Sequence, residues 1–164
     1  IIRNCNNYGN ISCKTSAGGI LGYSSFKVVI NNCMNNGKIS IQDVESGASG
    51  GIVGKIDNDD YASIENNVNT GEIVSGSSIV GACPFISSKS FTNNFYLNQT
   101  GLNVIGNNTS YNDCYSIEKS GNTYVLVAGQ DLEGDVLSLL IDNAHNNGWA
   151  DWTTDTSGNL MVAN

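Results

Sequence analysis

The sequence predicts an all-β fold, a right-handed parallel β-helix (a β-solenoid of three-strand coils) closed by a C-terminal cap that contains one α-helix. Three observations in the 164 residues predict it. A ten-residue block recurs without gaps, a glycine-rich block follows each copy, and both patterns stop before residues 119–164. A fixed period of this kind means stacked units that bury a shared core.

The first block reads Ile2-Arg3-Asn4-Cys5-Asn6-Asn7-Tyr8-Gly9-Asn10-Ile11. It returns as Ile30-Asn31-Asn32-Cys33-Met34-Asn35-Asn36-Gly37-Lys38-Ile39 and as Ile64-Glu65-Asn66-Asn67-Val68-Asn69-Thr70-Gly71-Glu72-Ile73, spaced 28 and then 34 residues apart. The second block is Gly18-Gly19-Ile20-Leu21-Gly22, then Gly50-Gly51-Ile52-Val53-Gly54, then the degraded Ser77-Ser78-Ile79-Val80-Gly81. Weaker echoes of the first block lie at Phe91-Thr92-Asn93-Asn94-Phe95-Tyr96 and at Tyr111-Asn112-Asp113-Cys114-Tyr115-Ser116. The array therefore occupies residues 1–118.

Each copy holds short β-rich segments, such as 29–34, 38–41 and 51–55, broken by Gly, Asn and Ser too often for a helix. Stacking equivalent residues at the strand spacing of about 4.8 Å puts Ile2, Ile30, Ile64, Phe91 and Tyr111 in one core column and Ile20, Ile52 and Ile79 in another. Corners between strands call for left-handed or bridge conformations, which Asn and Gly tolerate best. Asn4, Asn32, Asn66 and Asn93 are accordingly assigned to a structural ladder of stacked amides, with Asp113 closing the series. Gly9, Gly37 and Gly71 are expected to mark a second corner. A row of sugar-binding amides on the outer surface is the functional alternative.

The tail has no period. Residues 123–128 read as a strand and 131–145 as a helix, with Leu132, Val136, Leu139, Leu140 and Ala144 on one face. Asp131 and Glu133 suit its N-terminus, His145 its last turn and Gly148 its end. Trp149 and Trp152 lead into a strand, and Gly158-Asn159 turns into a final strand over 160–163. Residues 119–164 are expected to cap the open edges of the last coil, with the two tryptophans packing them onto it.

The paired blocks, I-x-N-C-x-N-x-G-x-I followed by G-G-I-[LV]-G, resemble the GLUG-motif repeats of bacterial cell-surface and adhesin-like proteins over about residues 1–100. The third copy departs from the pattern, with Asn67 in place of Cys and Ser77-Ser78 in place of the Gly pair. The resemblance implies a secreted or wall-attached bacterial protein and carries no catalytic residues with it. Because Ile1 begins inside a block, the sequence is expected to be a piece of a longer chain or a cleavage product. The rest of the parent chain is then expected to stack at the N-terminal end.

Composition excludes some functions. Seven basic against fifteen acidic residues leave a net charge of −8, and one Arg with six Lys cannot form the basic stripe that nucleic acid or an anionic membrane surface needs. No apolar stretch approaches the roughly 20 residues of a membrane span, so direct membrane insertion is not expected. Only 13% of residues are charged, while 25 are Asn and 19 Gly.

Candidate chemistry is sparse. Cys5, Cys33 and Cys114 share one column and are expected to point inward as small core side chains. No C-x-x-C pair occurs and His145 is the single histidine, so zinc is poorly supported, and a Cys5–Cys33 disulfide stays open. Asp57, Asp59 and Asp60 form a weak calcium candidate, with hydrated loop acids and paired catalytic carboxylates as the other readings of that run. No other metal ligand, no cofactor and no catalytic residue is predicted. Tyr8, Tyr23, Tyr61, Trp149 and Trp152 are candidates for an aromatic platform. The expected function is a non-enzymatic structural or adhesive segment at a bacterial cell surface, whose partner is a host protein or a glycan. The alternative is a carbohydrate-binding or carbohydrate-active β-helix module.

Overall fold

Runs of two to four β-branched or small residues between Asn and Gly can pair as strands only if neighbours supply the hydrogen bonds that so short an element lacks. In the computed structural model, which describes residues 1–57, 61–83, 89–106 and 113–163, those neighbours are the equivalent residues of adjacent copies. The first copy holds β1 (Ile2–Arg3), β2 (Asn6–Asn7), β3 (Ile11–Cys13), β4 (Ser16–Gly18) and β5 (Leu21–Ser24). The second holds β6 (Val28–Asn31), β7 (Met34–Asn35), β8 (Ile39–Ile41), β9 (Ala48–Gly50) and β10 (Val53–Ile56). The third holds β11 (Ala62–Glu65), β12 (Val68–Asn69) and the longer β13 (Ser77–Ala82). The weaker echoes supply β14 (Lys89–Thr92), β15 (Asn94–Leu97), β16 (Asn103–Ile105) and β17 (Cys114–Ser120).

Among the described residues the fold is thus all-β apart from one helix, with parallel pairing between copies. One sheet runs β1-β6-β11-β14, a second β2-β7-β12-β15-β17, a third joins β3 to β8, and a fourth gathers β4, β5, β9, β10 and β16 around β13. Three strand segments per copy were expected, but the first two copies contain five. The left-handed Asn at each corner splits the first segment into two strands in different sheets, and residues before the glycine pair add a further strand. Register follows the period: Ile2 lies opposite Ile30, Ile30 opposite Ile64, and Ile64 opposite Phe91. Tyr111, assigned to the same column, falls outside the described residues.

Ile30, Ile52, Ile56, Ile64, Ile79 and Ile105 are fully buried in the interior core. Each such side chain contributes about 2 kcal/mol of transfer free energy. Gly9, Gly37 and Gly71 lie at bends after β2, β7 and β12, a second corner as expected, but none has positive φ. A Cβ on Gly37 would lie 2.0 Å from the Gly9 carbonyl oxygen and one on Gly71 2.1 Å from that of Gly37. Close stacking on the preceding copy, not turn conformation, demands glycine at positions 37 and 71.

After β17 an antiparallel hairpin leads into β18 (Thr123–Leu126), then α1 (Val136–Asn147), and finally the antiparallel pair β19 (Trp152–Thr154) and β20 (Leu160–Val162). The helix starts at 136, not 131. Gly134 at φ 131° cannot be helical, and Asp135 caps instead, its carboxylate accepting from the Ser138 amide at 2.9 Å. Gly148 ends the helix in the left-handed region at φ 66°.

The expected placement of the tail is also corrected. Rather than covering only the last copy, it lies along the outer side of the β2-β7-β12-β15-β17 sheet as far as the first copy. Met34, Val68, Phe95 and Ile117 face it and form one apolar cluster with Val136, Leu140, Ala144, Trp152, Leu160 and Val162. The far end is closed by Asn6, whose side-chain amide donates to the Val162 carbonyl and accepts from the Val162 amide, both at 2.9 Å.

Candidate functional site

Two sets of asparagines stack between copies. The corner set, Asn4, Asn32, Asn66 and Asn93, has φ of 57°, 57°, 56° and 52°, and Asp113 follows at 59°. Asn93 shares only the left-handed backbone and does not extend the expected ladder, since Asn66 Oδ1 is buried without a partner. Asn66 Nδ2 donates to Asn32 Oδ1 and Asn32 Nδ2 to Asn4 Oδ1, each at 2.8 Å. These side chains point toward the tail. Asn66 Nδ2 also donates to the Leu140 carbonyl and Asn32 Nδ2 to that of Ala150, while Trp152 Nε1 donates to Asn32 Oδ1.

The second set was not assigned as a ladder from sequence. Asn7 Nδ2 donates to Asn35 Oδ1 at 2.7 Å and Asn35 Nδ2 to Asn69 Oδ1 at 2.8 Å, so its bonds run in the opposite direction along the stack. Asn35 and Asn69 are fully buried, and each also binds the backbone of the glycine two residues on. The second glycine of each pair in the second block admits them, while the first, Gly18 or Gly50, presses against backbone. A Cβ on Gly19 would lie 2.4 Å from Asn35 Cγ and one on Gly51 2.2 Å from Asn69 Cγ. Where Ser78 replaces this glycine, Tyr96 replaces the asparagine opposite Asn69. The signal was in the sequence, as one substitution matched by another in the next copy.

Cys5, Cys33 and Cys114 belong to the interior core column, and all five cysteines are free thiols. Burial pushes the Cys33 and Cys114 thiols up to about 12, and at Cys33 the backbone of Cys5 opposes the shift while its thiol adds to it. Asn67, which interrupts the column, accepts from the Cys33 amide at 2.9 Å and donates to the Ile30 carbonyl and Asn94 Oδ1, each at 3.0 Å. An amide serves here because the left-handed corner turns backbone groups away from the ladder.

The outer surface carries one aromatic corner. Tyr23, Phe26 and Tyr61 are 50%, 77% and 49% exposed. Tyr23 lies opposite Lys55 in register, with Lys55 Nζ 6.0 Å from its ring, and Lys27 Nζ is 5.0 Å from the ring of Tyr61. The other platform candidates go elsewhere: Trp149 stacks under Arg3, Trp152 is buried between the tail and the sheet, and Tyr8 stands apart, its phenol raised by partial burial and then by Asp155. Phe26 was missed because nothing in its local sequence distinguishes an exposed Phe from a core one.

A polar hollow of about 200 Å³ opens beside Ile41, Ser49, Ser75, Gly76, Asn103 and Gly106. It reflects unequal spacing. The residue opposite Gly50 comes seven residues after the column isoleucine in the first copy (Ile11 to Gly18), eleven in the second (Ile39 to Gly50) and four in the third (Ile73 to Ser77). Ser49 Oγ donates to the Ser75 carbonyl there, while Ser75 Oγ is buried without a partner.

Of the calcium candidate, Asp59 and Asp60 lie outside the described residues, and Asp57 pairs with Lys55 at 3.1 Å. Among the described residues no three His, Cys, Asp or Glu side chains gather to hold a metal. His145 Nε2 lies 2.6 Å from Asp151 Oδ1 at the exposed end of the helix. No helix among the described residues is long and apolar enough to cross a membrane. No protein-family model, curated protein or solved structure matches the chain.

Proposed function

We propose that this chain is a structural or adhesive segment of a bacterial surface protein, without catalytic activity, built as a right-handed parallel β-helix of the GLUG-motif kind. One observation carries the reading: equivalent residues of successive copies pair in parallel register, Ile2 to Ile30 to Ile64 to Phe91, with their polar corners bonded to one another. Such stacking places the investment of the sequence in a rigid scaffold and leaves the outer faces to Asn, Ser and Thr. The partner is a host protein or a glycan. The test is a panel of polysaccharides and matrix proteins, assayed for binding and for turnover. Retention on a partner without product supports the reading, and reproducible glycan cleavage replaces it with a carbohydrate-active module.

The second reading, a carbohydrate-binding module, draws on the aromatic corner. Exposed rings flanked by amines suit the apolar faces and hydroxyls of sugars. Phe26→Ala and Tyr61→Ala should each weaken retention on a bound glycan at least roughly tenfold if the corner holds it, a loss of about 1.4 kcal/mol. Unchanged retention assigns binding elsewhere.

A further inference from the structure

The edge of the first copy remote from the second carries half of a directional code. Ile2, Cys5 and Ile11 are only partly buried there, whereas their counterparts Ile30, Cys33 and Ile39 are fully buried. The two asparagine ladders reach this edge with opposite polarity. In the corner ladder each amide nitrogen points toward the preceding copy, so among the described residues Asn4 Nδ2 finds no acceptor, its Oδ1 already accepting from Asn32 and from the Ala150 amide. In the inner ladder each amide oxygen faces the preceding copy. Asn35 Oδ1 accepts from both Asn7 Nδ2 and the Gly37 amide, whereas Asn7 Oδ1 accepts only from the Gly9 amide.

We infer that this edge is a docking surface for one kind of partner, another I-x-N-C-x-N block laid parallel on β1, β2 and β3, and that the two ladders set its specificity. The inference rests on the stacked-copy reading above and names what the stack will accept. It continues the interface that already joins the first copy to the second, strand for strand. The incoming block must offer an acceptor over Asn4 and a donor over Asn7. Asparagine satisfies both columns. Aspartate satisfies only the Asn4 column, because an ionised carboxylate accepts and does not donate.

The experiment places a duplicate of residues 1–28 directly ahead of Ile1 in the full chain, where the short tether gives the duplicate a high effective concentration at the edge. Hydrogen exchange is then read in the duplicate and in β1 to β3. The expected result is roughly tenfold or greater slowing of exchange in β1 to β3 and protection in the duplicate. Replacing the duplicate's counterpart of Asn4 with Asp should retain that protection, while the same change at its counterpart of Asn7 should abolish it. An unprotected duplicate beside protected β6 to β12 overturns the inference and leaves the stacked-copy reading intact, as does equal tolerance of Asp at both columns. Loss of protection in β6 to β12 of the parent chain would instead overturn the stacked-copy reading itself.

Discussion

The two asparagine ladders use the same side chain at nearly the same bond length and do different work. Asn35 and Asn69 are sealed between glycines in the interior, where every alternative partner is backbone. Asn32 and Asn66 occupy left-handed corners and hold the tail from outside. The inner ladder is therefore constrained by space and the corner ladder by conformation, and substitutions separate the two.

The largest effect is expected for Gly51→Ala, whose Cβ would sit 2.2 Å from Asn69 Cγ and 2.3 Å from the Ser78 carbonyl oxygen. Urea unfolding should register a loss of about 3 kcal/mol or more. Gly9→Ala, with nothing nearer than 3.6 Å, should stay within about 0.5 kcal/mol and serves as the control. If both glycines prove equally tolerant, the inner ladder is not space-limited. Asn69→Ala comes next, because it strips a partner from buried Asn35 Nδ2 and from the Gly71 amide; a cost of about 2 to 3 kcal/mol is expected in the same assay.

At the corner, Asn32→Ala should cost about 2 kcal/mol, and Asn32→Gly about 1 kcal/mol less, since glycine keeps φ 57° without strain. Equal losses would show that conformation contributes nothing there. Trp152→Phe removes the indole donor to Asn32 together with part of a buried ring, and a decrease of about 1 to 2 kcal/mol, with faster exchange in α1, should follow.

The smallest effect is alkaline. The buried thiols of Cys33 and Cys114 sit near 12 against an ordinary value of 9.0, so the folded chain keeps protons that the unfolded chain loses. Their contribution to stability is complete below pH 9 and fades as pH rises toward 12. Near pH 9.5 the loss is just under about 1 kcal/mol per thiol. Cys114→Ala should flatten the alkaline limb of stability against pH, and an unchanged limb would place its cause elsewhere.

Much of this was legible before any coordinates. The corner asparagines followed from the rule that a β-turning chain needs residues that tolerate positive φ, and the interior isoleucines followed from the period. The inner ladder was not legible as such, because Asn35 and Asn69 look like any others in a chain with 25 asparagines, and only the glycines pressed against them reveal their direction. The helix start at 136 was hidden by acidic residues at 131 and 133, which suit an N-terminus but precede the glycine that forbids one. The aromatic corner required Tyr61 of the third copy to be brought by strand register beside the edge that carries Tyr23 and Phe26 of the first.

What the sequence determined by itself is the register of the copies. A repeat brings like residues together at every layer, so each layer's choice reinforces the next, and neither Ile30 nor Asn32 has a competing partner of equal fit. What only the tertiary structure decided is where the unrepeated tail goes. Asn6, Met34, Val68 and Phe95 alternate with Cys5, Cys33, Asn67 and Asn94, and both columns mix apolar residues with amides, so alternation alone does not tell the inner side from the outer. Helix α1 and β20 resolve it by covering Met34, Val68 and Phe95, and that choice depends on the summed burial of an apolar face no local pattern contains.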